Sequence, residues 1–176
     1  SGLSQRGAST IFEHSLGWPA IVQLLLGVWN RSEHRDALIA DFETVRGTAA
    51  TYLSEHVLDE MPAEIRRMLV EVSLLDHLSE EAAAFIHADG ENQWRRLRKL
   101  EWFLPFLIEV IGKKGCWRLH PILRDVLVDE FQGLAPLRRK DVHSLLAQWH
   151  DQQGHLIRSV KHARLAGCYK QAANYI

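Results

Sequence analysis

The chain has 176 residues, a formal net charge of −1 and 47% apolar side chains, enough to bury roughly 70% of its unfolded surface in one substantial core or two small ones. No run of about 18 apolar residues occurs, and even the stretch 21–28 is interrupted by Gln23 and Gly27, so no segment reads as a membrane-crossing helix. The near-zero charge leaves any attraction for nucleic acid to a local basic surface, and the two distant cysteines, Cys116 and Cys168, point away from a disulfide framework and toward a reducing, cytoplasmic setting.

The opening residues, Ser1-Gly2-Leu3-Ser4, carry neither an initiator methionine nor an apolar leader, and the expectation is an excised piece of a longer protein. Helices are expected over 3–15 and 18–29, with Gly17-Trp18-Pro19 as a tight junction between them. Two amphipathic helices follow over 36–46 and 48–59, separated by Gly47. Met61-Pro62 starts the next, 62–74, with Ile65, Met68, Leu69 and Val72 inward. Ser79 caps a short helix over 80–87 that Asp89-Gly90 is expected to end.

The spacing of Trp94, Leu97 and Leu100 predicts a helix over 92–102. The period then changes: 103–111 and 116–119 read as two strands joined by the turn Gly112-Lys113-Lys114-Gly115. Pro121 opens another helix, with Ile122, Leu123, Val126, Leu127 and Phe131 in one stripe, so His120 stands where a strand hands over to a helix N-terminus. Three helices and a hairpin in this order read as a winged helix. Past Leu134-Ala135-Pro136, helices are expected over 138–153, 157–166 and from Tyr169 onward, joined at Gly154 and Gly167, as at the entry to a tetratricopeptide-like solenoid. The fold class is mainly α: a helical lid segment over 1–60, a winged helix over 61–133 and the start of a helical repeat over 134–176.

The ordered set Gly17-Trp18-Pro19-Ala20, Tyr52-Leu53-Ser54-Glu55-His56-Val57-Leu58, Leu97-Arg98-Lys99-Leu100-Glu101 and Trp117-Arg118-Leu119-His120-Pro121 resembles the middle of LuxR-family transcriptional activators of the MalT type, which are signal-transduction ATPases of the STAND class. The resemblance implies that 1–60 is the lid of a nucleotide-binding module, and that the phosphate-binding loop and the DNA-reading helix-turn-helix lie outside this sequence. It places Pro19 on the adenine of ATP or ADP, with Gly17 permitting close approach, and brings His120 to the β-phosphate of ADP. The implied partners are the protein's own ATPase core, further sensor repeats, DNA through the absent helix-turn-helix, and an inducer that is a small molecule or a protein. The sequence departs from relatives at Ile122-Leu123, where aromatic residues are common, and at its Gly-Lys-Lys-Gly wing turn, where an acidic turn is more usual.

Two other readings stay open. Arg95, Arg96, Arg98 and Lys99 on the third helix, with Lys113 and Lys114 at the wing tip, are where a DNA-binding winged helix would place phosphate contacts. Against this, Trp94, Leu97, Leu100 and Trp102 take up much of that helix. A helical-repeat interaction scaffold needs no nucleotide at all. No metal set is expected of His143, His150, His155 and His162, which lack an i, i+4 pair with a carboxylate, and no catalytic set is identifiable by spacing, so the sequence reads as no enzyme by itself.

Overall fold

A computed structural model describes residues 53–169 together with residues 22, 47, 50 and 51. The helices expected over 3–15, 18–29 and 36–46, nearly all of the one begun at Tyr169, and the candidates Gly17 and Pro19 lie outside the described residues. The chain divides into two compact units, Ser1–Glu60 and Met61–Ile176. In the first, helical residues at 50, 51 and 53 lead into a π-helical turn, Ser54–Leu58. Gly47, expected between two helices, is itself helical, and Thr51 Oγ1, one turn on, donates to its carbonyl at 3.0 Å.

The second unit begins with α1, Ala63–Val72, entered through the extended Pro62 and burying Ile65, Met68, Leu69 and Val72. Helix α2, Glu80–Ile86, is capped by Ser79, whose hydroxyl accepts from the Ala82 N–H at 3.2 Å. Its end differs from the sequence expectation. His87, in an extended conformation, closes α2, while Gly90 is the first residue of α3, Gly90–Leu97. A Cβ at Gly90 would lie 1.9 Å from the Ala83 carbonyl oxygen, so glycine is required here for close approach of one helix to another rather than for a turn.

Helix α3 is also shorter than 92–102. Trp94 and Leu97 are buried, but Trp102 is 43% exposed, so the apolar spacing past Leu97 does not continue a buried stripe. The chain leaves the helix through turn bonds from Lys99 N–H to the Arg96 carbonyl and from Leu100 N–H to the Leu97 carbonyl. Where a strand was expected from residue 103, Pro105 fits a 3-10 turn, Leu104–Phe106, and strand β1 is only Leu107–Glu109. It pairs antiparallel with β2, Trp117–Leu119, in the register Leu107 opposite Leu119 and Glu109 opposite Trp117. Leu78 adds a third short arm, exchanging backbone hydrogen bonds with Trp117 at 2.7 and 2.9 Å.

Helix α4, Pro121–Gly133, buries Ile122, Leu123, Leu127 and Phe131. Helix α5, Pro136–Gln152, starts two residues before the expected 138, because Pro136 serves as its first residue instead of as a breaker. Gly154, at φ +72°, turns the chain into α6, Leu156–Ala166, which packs on α5 around Ala147, Ala163 and Val160. The result is a winged helix, mainly helical with a small antiparallel sheet, carrying a helix pair against α2.

Candidate functional site

The strand-to-helix junction at His120 is built as the sequence implies: β2 ends at Leu119 and α4 begins at Pro121. The His120 N–H donates to the Phe106 carbonyl at 2.8 Å, and its carbonyl accepts the first α4 bond from the Arg124 N–H at 2.9 Å. The side chain is only 2% exposed. In this arrangement the imidazole is covered by protein, and a phosphate can reach it only if the covering groups move.

The basic helix is committed to the protein itself. Arg95 pairs with Glu80 at 2.8 Å and with Glu91 at 2.5 Å, and Arg96 donates to Gln93 at 3.2 Å. The Arg98 guanidinium lies 4.3 Å from the centre of the Trp117 ring, which is itself 5.4 Å from Trp94, so the stacked arginine helps hold α3 to the wing. Lys99 and both wing lysines, Lys113 and Lys114, are exposed. The structure therefore brings Arg98 to the base of the wing and leaves the two lysines at its tip.

Residues outside the sequence-derived set do more to join the winged helix to the helix pair. Glu71, 1% exposed, receives two hydrogen bonds from Arg138 of α5, each 2.7 Å, and lies 2.7 Å from His87 Nδ1. Burial alone would push its carboxyl up, but the hydrogen bonds from His87 and Arg138 and their charges hold it below the usual carboxylate value. Asp76 is shared by Arg124 of α4, at 3.0 Å, and Arg158 of α6. Phe85 of α2 and Trp149 of α5 meet at 5.5 Å between ring centres.

Four histidines converge where α5 meets α6. The Nδ1 atoms of His143 and His162 are 3.0 Å apart, His150 stacks on His162 at 5.4 Å, and His155 lies 5.7 Å from His150. Burial, reinforced by neighbouring positive charge, lowers His150 and His162 to about 4 and lowers His143 as well, so these rings are neutral at pH 7. Among the described residues no group of three or more potential ligands is placed to hold a metal, and no helix is long and apolar enough to cross a membrane.

The spacing carried a signal for this cluster that a search for i, i+4 pairs passes over. His143 and His150 are seven residues apart, two turns along one face of α5, and His155 and His162 are also seven apart, from the residue that caps α6 to its buried face. No comparable local sign marks the pairing of Glu71 with Arg138, which are 67 positions apart.

Comparison with known proteins places this architecture. The family model described as MalT winged helix domain matches residues 54–140. The HTH-type transcriptional regulator MalT of Vibrio parahaemolyticus is 26% identical over 170 residues, 93% of this chain and 18% of that protein. The MalT of Vibrio campbellii is 26% identical over 149 residues, 81% of this chain and 16% of that protein. The HTH-type transcriptional regulator AlkS of Alcanivorax borkumensis is 22% identical over 178 residues, 97% of this chain and 19% of that protein. The chain thus spans less than a fifth of the length of these relatives.

Proposed function

This chain belongs to the MalT and AlkS type of transcriptional regulators with a winged helix domain, and on that premise we propose that its winged helix is an internal switch between a nucleotide-binding core and sensor repeats, not a reader of DNA. The observation that carries this reading is the use made of α3. Trp94 and Leu97 face the core, Arg95 is taken by two carboxylates, Arg96 donates to Gln93, and Arg98 stacks on Trp117, so the arginines that would reach base edges are already engaged within the protein. The Glu71–Arg138 clamp supports the same reading, since it lets the winged helix and the first repeat helices move as one body.

In this proposal ATP or ADP binds the whole regulator, with Gly17 and Pro19 at the base and His120 at the phosphate. DNA is read by a helix-turn-helix outside this chain, and the inducer acts on further repeats. Because His120 is buried here, its phosphate contact belongs to a second arrangement in which the N-terminus of α4 is uncovered; a ligand that binds only that arrangement shifts the balance toward it. The test is the dissociation rate of ADP from the full-length regulator. His120→Ala should speed it several-fold while the far-UV circular dichroism stays unchanged. A folded variant with an unaltered rate removes the nucleotide contact from the account.

A further inference from the structure

Between α4 and the α5–α6 pair lies a cleft of about 620 Å³. Four permanent cations, Arg124, Arg139, Lys140 and Lys161, line it against a single carboxylate, Asp125. Arg124 is already engaged by Asp76, but Lys140 and Lys161 are exposed and make no ion pair with any other described residue. Arg139 donates to Gln132 through Nη1 at 3.2 Å, while its Nε is buried and has no hydrogen-bond partner among the described residues. A buried donor left unmade is costly, and a concave surface with this excess of positive charge concentrates anions.

The histidines that line the cleft agree with this. His143 and His162 are held neutral first by burial and then by their neighbours, the cations Arg139 and Lys161 for His143, and the adjoining rings of His143 and His150 with the cations Lys161 and Arg158 for His162. They therefore add polar surface to the cleft without adding charge. Val128 and Leu165 supply apolar wall beside the cations.

We propose that this cleft binds a phosphate-bearing small molecule, with the phosphate held by Arg139, Lys140 and Lys161 and the organic part against Val128 and Leu165. Such a ligand bridges the last winged-helix element and the first helix pair, and so stiffens the junction through which a signal from the repeats must pass. The cleft is concave and walled by three helices, which suits a small anion better than the outer surface of a duplex.

The experiment is a titration of the 176-residue chain with inorganic phosphate, pyrophosphate and phenyl phosphate, following the His143 and His162 ring resonances by NMR, with sodium chloride at matched ionic strength as the reference. Saturable shifts with pyrophosphate are expected, along with tighter binding of phenyl phosphate than of inorganic phosphate. Combining Lys140→Glu with Lys161→Glu should weaken binding by about tenfold or more, since charge-assisted contacts are lost and reversed. Arg67→Glu, an exposed change on α1, should leave it unchanged. If the double variant proves unstable, Arg139→Gln alone should weaken binding by about threefold or more. Shifts reproduced by sodium chloride, or equal losses in Arg67→Glu, would overturn the proposal, and phenyl phosphate binding no tighter than phosphate would overturn its organic half.

Discussion

Arg138→Leu isolates the joint between the winged helix and the helix pair. The substitution leaves Glu71, 1% exposed, with a full negative charge held by His87 alone. Stripping one partner from a buried ion pair costs about 3–5 kcal/mol. Arg138 is 40% exposed in the folded protein and His87 stays at 2.7 Å, which discounts that figure by about 1 kcal/mol, to about 2–4 kcal/mol. Glu71→Gln is the informative partner variant. It removes the buried charge while keeping the shape, and Arg138 can turn into water, so about 1–2 kcal/mol should be lost. Urea unfolding at pH 7, followed by circular dichroism, measures both. An Arg138→Leu cost below about 0.5 kcal/mol, or a Glu71→Gln cost larger than that of Arg138→Leu, would refute the reasoning, because either result means that the buried carboxylate does not depend on the guanidinium.

Two further outcomes follow from the same packing. His150 and His162 titrate near 4 in the folded protein against an ordinary value of 6.5, so between these pH values the unfolded chain binds protons that the folded chain does not. Their contribution is therefore fully present above about pH 6.5 and is lost as pH falls toward 4, by on the order of 1 kcal/mol per pH unit for each ring. The depressed Glu71 carboxyl adds its own loss only below its unfolded value of 4.5, so a urea midpoint that stays flat from pH 7 to pH 5 would count against the histidine account specifically. Gly90→Ala places a methyl group 1.9 Å from the Ala83 carbonyl oxygen, a backbone atom that cannot swing aside. It should cost about 1–3 kcal/mol, whereas a helix-terminating glycine without such an overlap would show a smaller loss in the same unfolding assay.

What the sequence disclosed and what it withheld divide along physical lines. The buried stripes of α1 and α4 were legible because each is a strong 3.6-residue pattern opened by proline, Pro62 in one case and Pro121 in the other. Gly90 was misread because a glycine that ends one helix and a glycine that lets the next helix approach look alike in sequence; only the distance to Ala83 separates them. Leu100 carried the apolar spacing of α3 beyond its real end at Leu97, since periodicity does not report where the chain turns off or that Trp102 beyond it is half exposed. Leu78 pairs with Trp117 as a single residue, too short to leave an alternating pattern.

The site shows the same division. His120 was placed correctly at the junction of β2 and α4 by the turn and the proline, but its burial depends on tertiary packing, which no local pattern records. Arg95 and Arg98 stand out in sequence as a basic helix; their engagement by Glu80, Glu91 and Trp117 is visible only once those groups are placed around them.

Titration of the chain with duplex DNA at two salt concentrations tests most directly whether the winged helix works inside the protein. With Trp94 and Leu97 of α3 turned inward and its arginines engaged, the account predicts no saturable binding at near-physiological salt and only weak, sequence-independent association at low salt. Tight binding with a steep salt slope that becomes shallower on replacing Arg95 and Arg98 would contradict it, and would make the basic helix the functional surface.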